Sequence, residues 1–552
     1  LAQVEWKNLR TTHPPNRRMS SFTDCEGDAC WAAGWLQHSV TISAITAESE
    51  GLAGPLTKDL KPDSFSTRVV EFDPLIISIM AILLTCIVAH EMWATYRKPL
   101  LANHDQANSP WLQIAYLNSW FNMFFMMAMT VPVSLDFAMQ LGESATMSGF
   151  YLSSPIIGSI VGIIIGRMLT SEMEWNQPFV RRMMVVCPFF SLICTMLTAY
   201  IVNNAALLSL PRRKVIFWIV ILLQEVSTLV SAIPCVPMLV MQNKVTPNSE
   251  KTFWMILAQC ARNGGMLIGP GFFALIAFAV KRGEPVAPSS LMGWVEMGFL
   301  VLGAVFTNYA SLVIPTQLAP LPDEPTAPET EVCVTMLPSA QRERVVKNMI
   351  WYSFERPFSI AAIEVGTIML LEVSYGWTTE LCGTAFTIVA GTSLLFSAVS
   401  SVLLSRKYLS ESHVFFGANM VGLFGVLFLF DFGTGPAGLL VADGLVYGMA
   451  SVANGIAEAW ASKASMPGTG FSIEIYRMQN TICVNCARLL SPIVARTLLD
   501  FGGRNVYACL QLFIVCLGTS TVYKTVRMVW DQPGSEDLKG GTKAKAAGQD
   551  AN

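Results

Sequence analysis

Long apolar runs separated by short polar breaks dominate the chain. About 20 apolar residues span the hydrocarbon core as a helix, because a helix satisfies its own backbone where no water is present. The first run extends from Pro74 to Met92 and is followed by a basic connector with Arg97 and Lys98. About six runs come next: Leu112 to Leu141, Met147 to Leu169, Met183 to Val202, Val215 to Met241, Thr252 to Val280 and Leu291 to Ile314. A polar interval then carries Pro320, Pro322, Pro325 and Pro328 among acidic residues and ends in the basic segment Arg342, Arg344, Lys347. About six more runs follow: Pro357 to Tyr375, Gly383 to Leu404, Val414 to Phe430, Gly435 to Trp460, Ile475 to Leu499 and Val506 to Val526.

This pattern predicts an all-α membrane protein. It has a polar N-terminal segment (1–72), an extra transmembrane helix (73–96), a six-helix half (112–316), a hydrophilic loop (317–354), a second six-helix half (355–527) and a Gly-, Lys- and Asp-rich tail (528–552) expected to be disordered. Two halves of this kind are how many transporters build a midplane site with alternating access. Lys and Arg in short loops favour both ends of the body on the cytoplasmic side, with about 13 basic residues there against about six outside. The exceptions are Arg212, Arg213, Lys214 and the pair Lys281, Arg282. The extra helix then puts residues 1–72 on the outer or lumenal side. The polar opening lacks the charged-then-apolar order of a cleavable signal.

Composition sharpens the membrane assignment and narrows the chemistry. Hydrophobic residues make up 53% of the chain and charged residues 14%, with a net charge of -3, so no nucleic-acid partner is expected. Most of the 13 cysteines sit singly in apolar runs, where a thiol acts as a small hydrophobe. Cys25 and Cys30 flank a short acidic segment and suit a small disulfide loop if they face an oxidising compartment. His38, His90 and His413 show no ligand spacing, and neither a P-loop nor a G-x-S-x-G elbow is present. The sequence implies no cofactor and no enzyme; the expected partners are the lipid bilayer, a small solute and a coupling proton or counter-anion.

At the first span of the body, Val131-Pro132-Val133-Ser134-Leu135-Asp136, then Leu141-Gly142 and Ser144 to Gly149, resemble major facilitator proteins. The likeness is nearest to the group of SPX-domain vacuolar phosphate transporters and their lysosomal relatives, though residues 1–72 are too few and too little basic for an SPX domain. Gly265-Met266-Leu267-Ile268-Gly269-Pro270 resembles the superfamily's GxxxGP motif, in which small residues permit close packing and Pro bends the helix. Gly162-xxx-Gly166-Arg167 with Arg181-Arg182 resembles its basic loop, with Gly166 where an Asp is expected. The resemblance implies a major facilitator fold and transport by alternating access in a plasma, vacuolar or lysosomal type of membrane.

Ionisable residues inside membrane helices are costly and mark functional positions. The tripeptide Cys260-Ala261-Arg262 in the fifth span of the body recurs as Cys486-Ala487-Arg488 in the eleventh, its repeat equivalent. Both arginines are expected to face the central cavity and hold an anion through the planar guanidinium fork. Gln259, Asn263, Asn480 and Asn485 are expected beside them. Candidate coupling or ion-pair acids are Glu225 and Asp443 in the fourth and tenth spans, Asp136 and Glu372 near the ends of the first and seventh, and Glu364 in the seventh. The plainer alternative is that Glu225 with Arg262, and Asp443 with Arg488, are neutralising pairs between neighbouring helices. Met126, Met127 and Met129 read as packing, and the cluster Trp120, Phe121, Phe124 and Phe125 as lipid-facing more than pocket-lining.

The expected function is secondary active transport of a small solute, phosphate or an organic anion. Two other classes stay open: a carrier of a neutral or cationic solute, and a non-transporting receptor or assembly factor on a transporter body.

Overall fold

The computed structural model describes Thr57 and residues 61–93, 110–170, 177–235, 237, 238, 242, 248–314, 337–406, 408–466 and 469–530. The expectations for Cys25, Cys30, Arg97, Lys98 and the tail from residue 531 lie outside the described residues, as do the side chains of Trp120, Gln259 and Asn263.

Among the described residues the secondary structure is entirely helical. The helices are α1 (Pro74–Trp93), α2 (Pro110–Gln140), α3 (Ala145–Ser153), α4 (Pro155–Thr170), α5 (Gln177–Asn203), α6 (Leu210–Ala232), α7 (Asn248–Lys281) and α8 (Pro288–Val313). They continue with α9 (Ser339–Val373), α10 (Thr379–Ser405), α11 (Glu411–Val426) and α12 (Gly435–Ala464). The last stretch, Ile473–Trp530, divides at Gly503, whose φ of 69° breaks the helix, into α13 (473–502) and α14 (504–530). Among the described residues, ten helical stretches are long and apolar enough to cross a membrane, α3 with α4 and α13 with α14 each forming one of them. The protein is therefore an all-helical, multi-pass membrane protein.

Two boundaries differ from the sequence pattern. The second span is split into α3 and α4 at Ser154-Pro155, since Pro155 has no N–H to continue the ladder. The seventh span begins at Ser339, so the basic segment expected in the loop is the first part of α9. There Arg342 donates to the carbonyls of Ala464 and Ser465 beyond the end of α12.

Helix neighbours recur in the two parts of the chain. α2 packs on α7 and α8, as α9 packs on the 473–530 pair. α4 packs on α6, as α10 packs on α12, and α5 on α6, as α11 on α12. Between the parts, α7 meets α10, and α3 meets α13. These two crossings are repeat equivalents of one another. Small residues bring the backbones together. A Cβ on Gly269 would lie 2.7 Å from the Cβ of Ala128, which explains the GxxxGP segment as the α2–α7 contact. Gly158, Gly162 and Gly166 form a similar stripe on α4, against the carbonyls of Glu225, Leu229 and Ile233 of α6 and the residue after it. Gly166 thus serves helix packing at the place where the resemblance expects a gating Asp.

The extra helix α1 lies against α8 and α5. Along its length, Phe72 just before it meets the Trp294 ring edge-on at 5.3 Å, Asn308 donates to the Leu83 carbonyl at 2.9 Å, and His90 Nδ1 lies 3.2 Å from Ser311 Oγ. At its end Glu91 accepts from Arg181 Nη1 at 2.7 Å, while the same guanidinium donates to the carbonyls of Ser311 and Ile314. Leu75, Ile77, Ile82 and Trp93 on its other faces are exposed, as suits contact with lipid. α1 is therefore docked by the charge it brings to a buried arginine. Removing one partner of such a pair leaves an uncompensated buried charge, and because Glu91 is partly exposed the cost is about 2 kcal/mol. Glu91→Gln is predicted to lower the unfolding free energy of the detergent-solubilised protein by about that amount, seen as a lower denaturation midpoint, whereas Ile77→Ala leaves it unchanged.

Candidate functional site

The repeated Cys-Ala-Arg tripeptides converge on one aromatic ring. Arg262 of α7 and Arg488 of α13 both stand over Phe124 of α2, with guanidinium carbons 4.5 and 4.8 Å from the ring centroid. Arg488 is almost fully buried and Arg262 partly so. Glu364 of α9 is the acid beside them, with an oxygen 3.8 Å from Arg488 Nη2. Arg488 Nη1 also points to Met127 Sδ at 3.6 Å. The Tyr447 hydroxyl of α12 lies within the field of Glu364 and both arginines, and its ring meets Phe386 edge-on at 6.1 Å.

The electrostatics of this group are incompletely balanced. A charge at the middle of a membrane span costs about 3 kcal/mol, and a cation–π contact returns about 1 to 2 kcal/mol. Two guanidinium groups share one ring; Glu364 stands beside Arg488, while Glu458, whose field reaches Arg262, is paired with Arg477 at 3.5 Å. The Arg488–Glu364 separation is wider than the 2.7–2.9 Å of a charge-assisted hydrogen bond (~3 Å). Arg488 Nε, Glu364 Oε1, Asn480 Oδ1, Asn485 Nδ2 and Ser491 Oγ are buried without a hydrogen-bonding partner from the protein. Buried polar atoms of this kind are ordinarily met by water or by a ligand.

The other acids fall in three places. Glu225 is on α6, half-buried, with its backbone carbonyl against Gly158; it does not pair with Arg262. Asp443 on α12 is fully buried, has Thr367 as its polar neighbour and makes no hydrogen bond of normal geometry; it does not pair with Arg488. The expected neutralising pairs are thus replaced by Arg488 with Glu364. The reason is reach: α9 and α13 are packed together, so Glu364 meets Arg488 first. Asp136 and Glu372 do lie within each other's field, and they share it with Arg496 of α13 and Lys281 of α7.

Arg496 is the centre of a second charged group, at the end of the bundle that holds Gly142. It is fully buried and donates to Ser134 Oγ of α2 at 2.9 Å and to Ser148 Oγ of α3, so it joins the two parts of the chain. Close by, Thr146 and Thr497 share a hydrogen bond of 3.1 Å, and a Cβ on Gly149 would lie 2.6 Å from the Pro492 carbonyl oxygen. At the equivalent crossing, Lys281 pairs with Glu380 and approaches Thr379 Oγ1 at 3.4 Å. These cross-contacts gather at the Gly142 end and hold α3 to α13 and α7 to α10. A double variant, Thr146→Cys with Thr497→Cys, is predicted to form a disulfide under mild oxidation, seen as a reducible gel shift after cleavage between the parts. Absence of the link would mean that this end is open in the folded protein.

Sequence reasoning missed Phe124 and Met127, assigned to lipid contact and packing, and did not single out Arg496 or Tyr447. For Phe124 a weak signal existed: it and Met127 are three residues apart and so share a helix face. Nothing in the sequence marked Arg496 apart from its place in an apolar run.

No protein-family model matches the chain, and no curated protein matches it. The likeness to the vacuolar phosphate group therefore stands on the window from Val131 to Gly149 alone. Among solved structures, the chain is similar to the crystal structure of a nucleoside transporter, NupG, at 14% identity and a TM-score of 0.45, over 76% of this chain and 99% of that one.

Proposed function

We propose that the protein is a secondary transporter of the major facilitator plan that carries a small anionic solute, phosphate or an organic anion, between α2–α8 and α9–α14. The observation that carries this reading is the pair of guanidinium groups over Phe124, with Glu364 held loosely beside Arg488. A guanidinium presents several donors in a rigid fork that suits carboxylate and phosphate oxygens. Arg262 comes from one part of the chain and Arg488 from the other. An anion bound by both would therefore tie the two parts together as access alternates.

Glu364 acts in this scheme as an internal counter-anion. In the empty protein it partly cancels Arg488, and an entering solute replaces it. Asn480, Asn485 and Ser491, on the same helix as Arg488, carry buried polar atoms without protein partners and are assigned to the site by their place on α13. Gln259 and Asn263 precede and follow Arg262 closely on α7 and are assigned to the same site by their position in the sequence.

Each charge-assisted hydrogen bond to the solute is worth about 1.5 to 3 kcal/mol. Arg262→Ala and Arg488→Ala are each predicted to weaken binding by roughly 10- to 100-fold, measured as the concentration that stabilises the purified protein against heating. The test panel is phosphate, dicarboxylates, a sugar and a neutral nucleoside. Stabilisation by a neutral member, retained in both arginine variants, would replace the anion by a neutral solute and make Arg488 and Glu364 a structural pair. Glu364→Gln removes the competing charge and is predicted to tighten binding of the anion that wild type binds.

A further inference from the structure

One buried acid takes no part in either charged group. Glu296 lies in the middle of α8 and is only 1% exposed. Its Oε1 accepts from Gln224 Nε2 of α6 at 3.1 Å, and the same amide donates to the Tyr151 hydroxyl of α3 at 2.8 Å. Gln224 and Tyr151 are themselves buried, and Gln224 Oε1 has no hydrogen-bonding partner. The chain of contacts thus links three helices inside the first part of the molecule.

Among the described residues no cation balances this carboxyl. The charged and titratable groups on the helices around α8 are engaged elsewhere. Arg181 is held by Glu91 and two carbonyls, and His90 lies at Ser311, near the far end of α8. Arg262 stands over Phe124, Lys281 pairs with Glu380, and Asp136 shares the field of Arg496. The groups that face Glu296 are Gln224 and Tyr151. An ionised carboxylate at such depth costs about 3 kcal/mol or more, with nothing in the contact set to offset it.

The contacts also lead to the α3–α13 crossing. Tyr151 is two residues from Gly149, where α3 comes closest to Pro492 of α13. It lies three residues before Ser154, at the Ser154-Pro155 break that separates α3 from α4. α3 is therefore a short segment with the partner crossing on one side and the Glu296 chain on the other.

From this arrangement, and resting on the carrier reading above, we propose that Glu296 is a proton-binding site coupled to opening of the α3–α13 crossing. The proton sits on the oxygen that does not accept from Gln224. When α3 leaves Pro492, Tyr151 moves with it, the Gln224 bridge is pulled from the carboxyl, and water reaches Glu296 and exchanges the proton. The anion site and the proton site are then separate, joined through α3.

The test needs no solute. Infrared spectra of the full-length protein in lipid nanodiscs are recorded in a series of buffers of different pH, in water and in deuterium oxide, with Thr146→Cys and Thr497→Cys either cross-linked or reduced. The expected result is a carboxylic-acid carbonyl band whose intensity and rate of deuterium shift change on reduction of the cross-link and which is missing in Glu296→Gln. Tyr151→Phe keeps the hydrocarbon packing and the acid, so it is expected to retain the band but lose at least half of its response to the cross-link. If Glu296→Gln fails to fold, Tyr151→Phe alone decides. A band unchanged by the cross-link, or one that persists in Glu296→Gln, would overturn the proposal. So would a band that responds to sodium and not to pH. Failure of the carrier reading would appear separately, as no anion stabilising a protein whose infrared response is intact.

Discussion

A guanidinium group in the interior of a membrane protein has few ways to be accommodated, and Arg262 and Arg488 use most of them at one point. An aromatic face, a thioether, and one acid at more than hydrogen-bonding distance leave part of the charge unanswered. Replacing both by leucine would remove a cost of several kcal/mol. That the chain keeps them, on repeat-equivalent helices and over one ring, is the constraint on which the proposed anion site rests. The packing around them follows from the same need, because α7 and α13 must approach α2 closely for both side chains to reach Phe124. Gly265 and Gly269 make that approach on the α7 side.

The two charged groups have different characters. At the centre, arginines outnumber acids and several polar atoms have no partner, which suits a site that exchanges its contents. At the Gly142 end, Arg496 and Lys281 lie among Asp136, Glu372 and Glu380, and the cross-contacts are direct. An excess of acid and direct hydrogen bonds between the two parts suit a latch. Rocking of one half on the other has to break the latch while the centre stays bridged, and the small residues at Gly149 and Gly383 give the crossings surfaces that separate without dragging side chains. α1 stands outside this motion. It is anchored to α8 by Arg181 and Glu91 and turns its apolar faces outward.

How much of this was legible in the sequence depends on the kind of signal. Apolar runs are additive over about 20 residues, so spans and polar breaks are read with little ambiguity. Helix ends are not: the start of α9 at Ser339 lies among Arg342, Arg344 and Lys347, where hydropathy points to a loop and only the docking of Arg342 on the end of α12 shows why a helix continues. Arg262 and Arg488 were legible because the same tripeptide sits at equivalent places. Their partner was not, since which acid reaches Arg488 depends on the rotation of α9 and α12 about their axes; Glu364 and Asp443 look alike in sequence. Phe124 was hidden for a related reason. An aromatic in a membrane helix gains burial from lipid or from protein alike, and only the placement of α7 and α13 distinguishes the two.

Net movement of an anion across a membrane is the most direct test of the central claim. Purified protein would be placed in liposomes and given labelled phosphate, dicarboxylates, sugars and amino acids, with and without an inward proton gradient. The account predicts saturable uptake of an anion that is stimulated by the gradient and absent from liposomes without protein. Uptake confined to neutral solutes, or anion binding with no flux from demonstrably folded protein, would contradict it; the second result would make the chain a receptor or assembly factor on a transporter body.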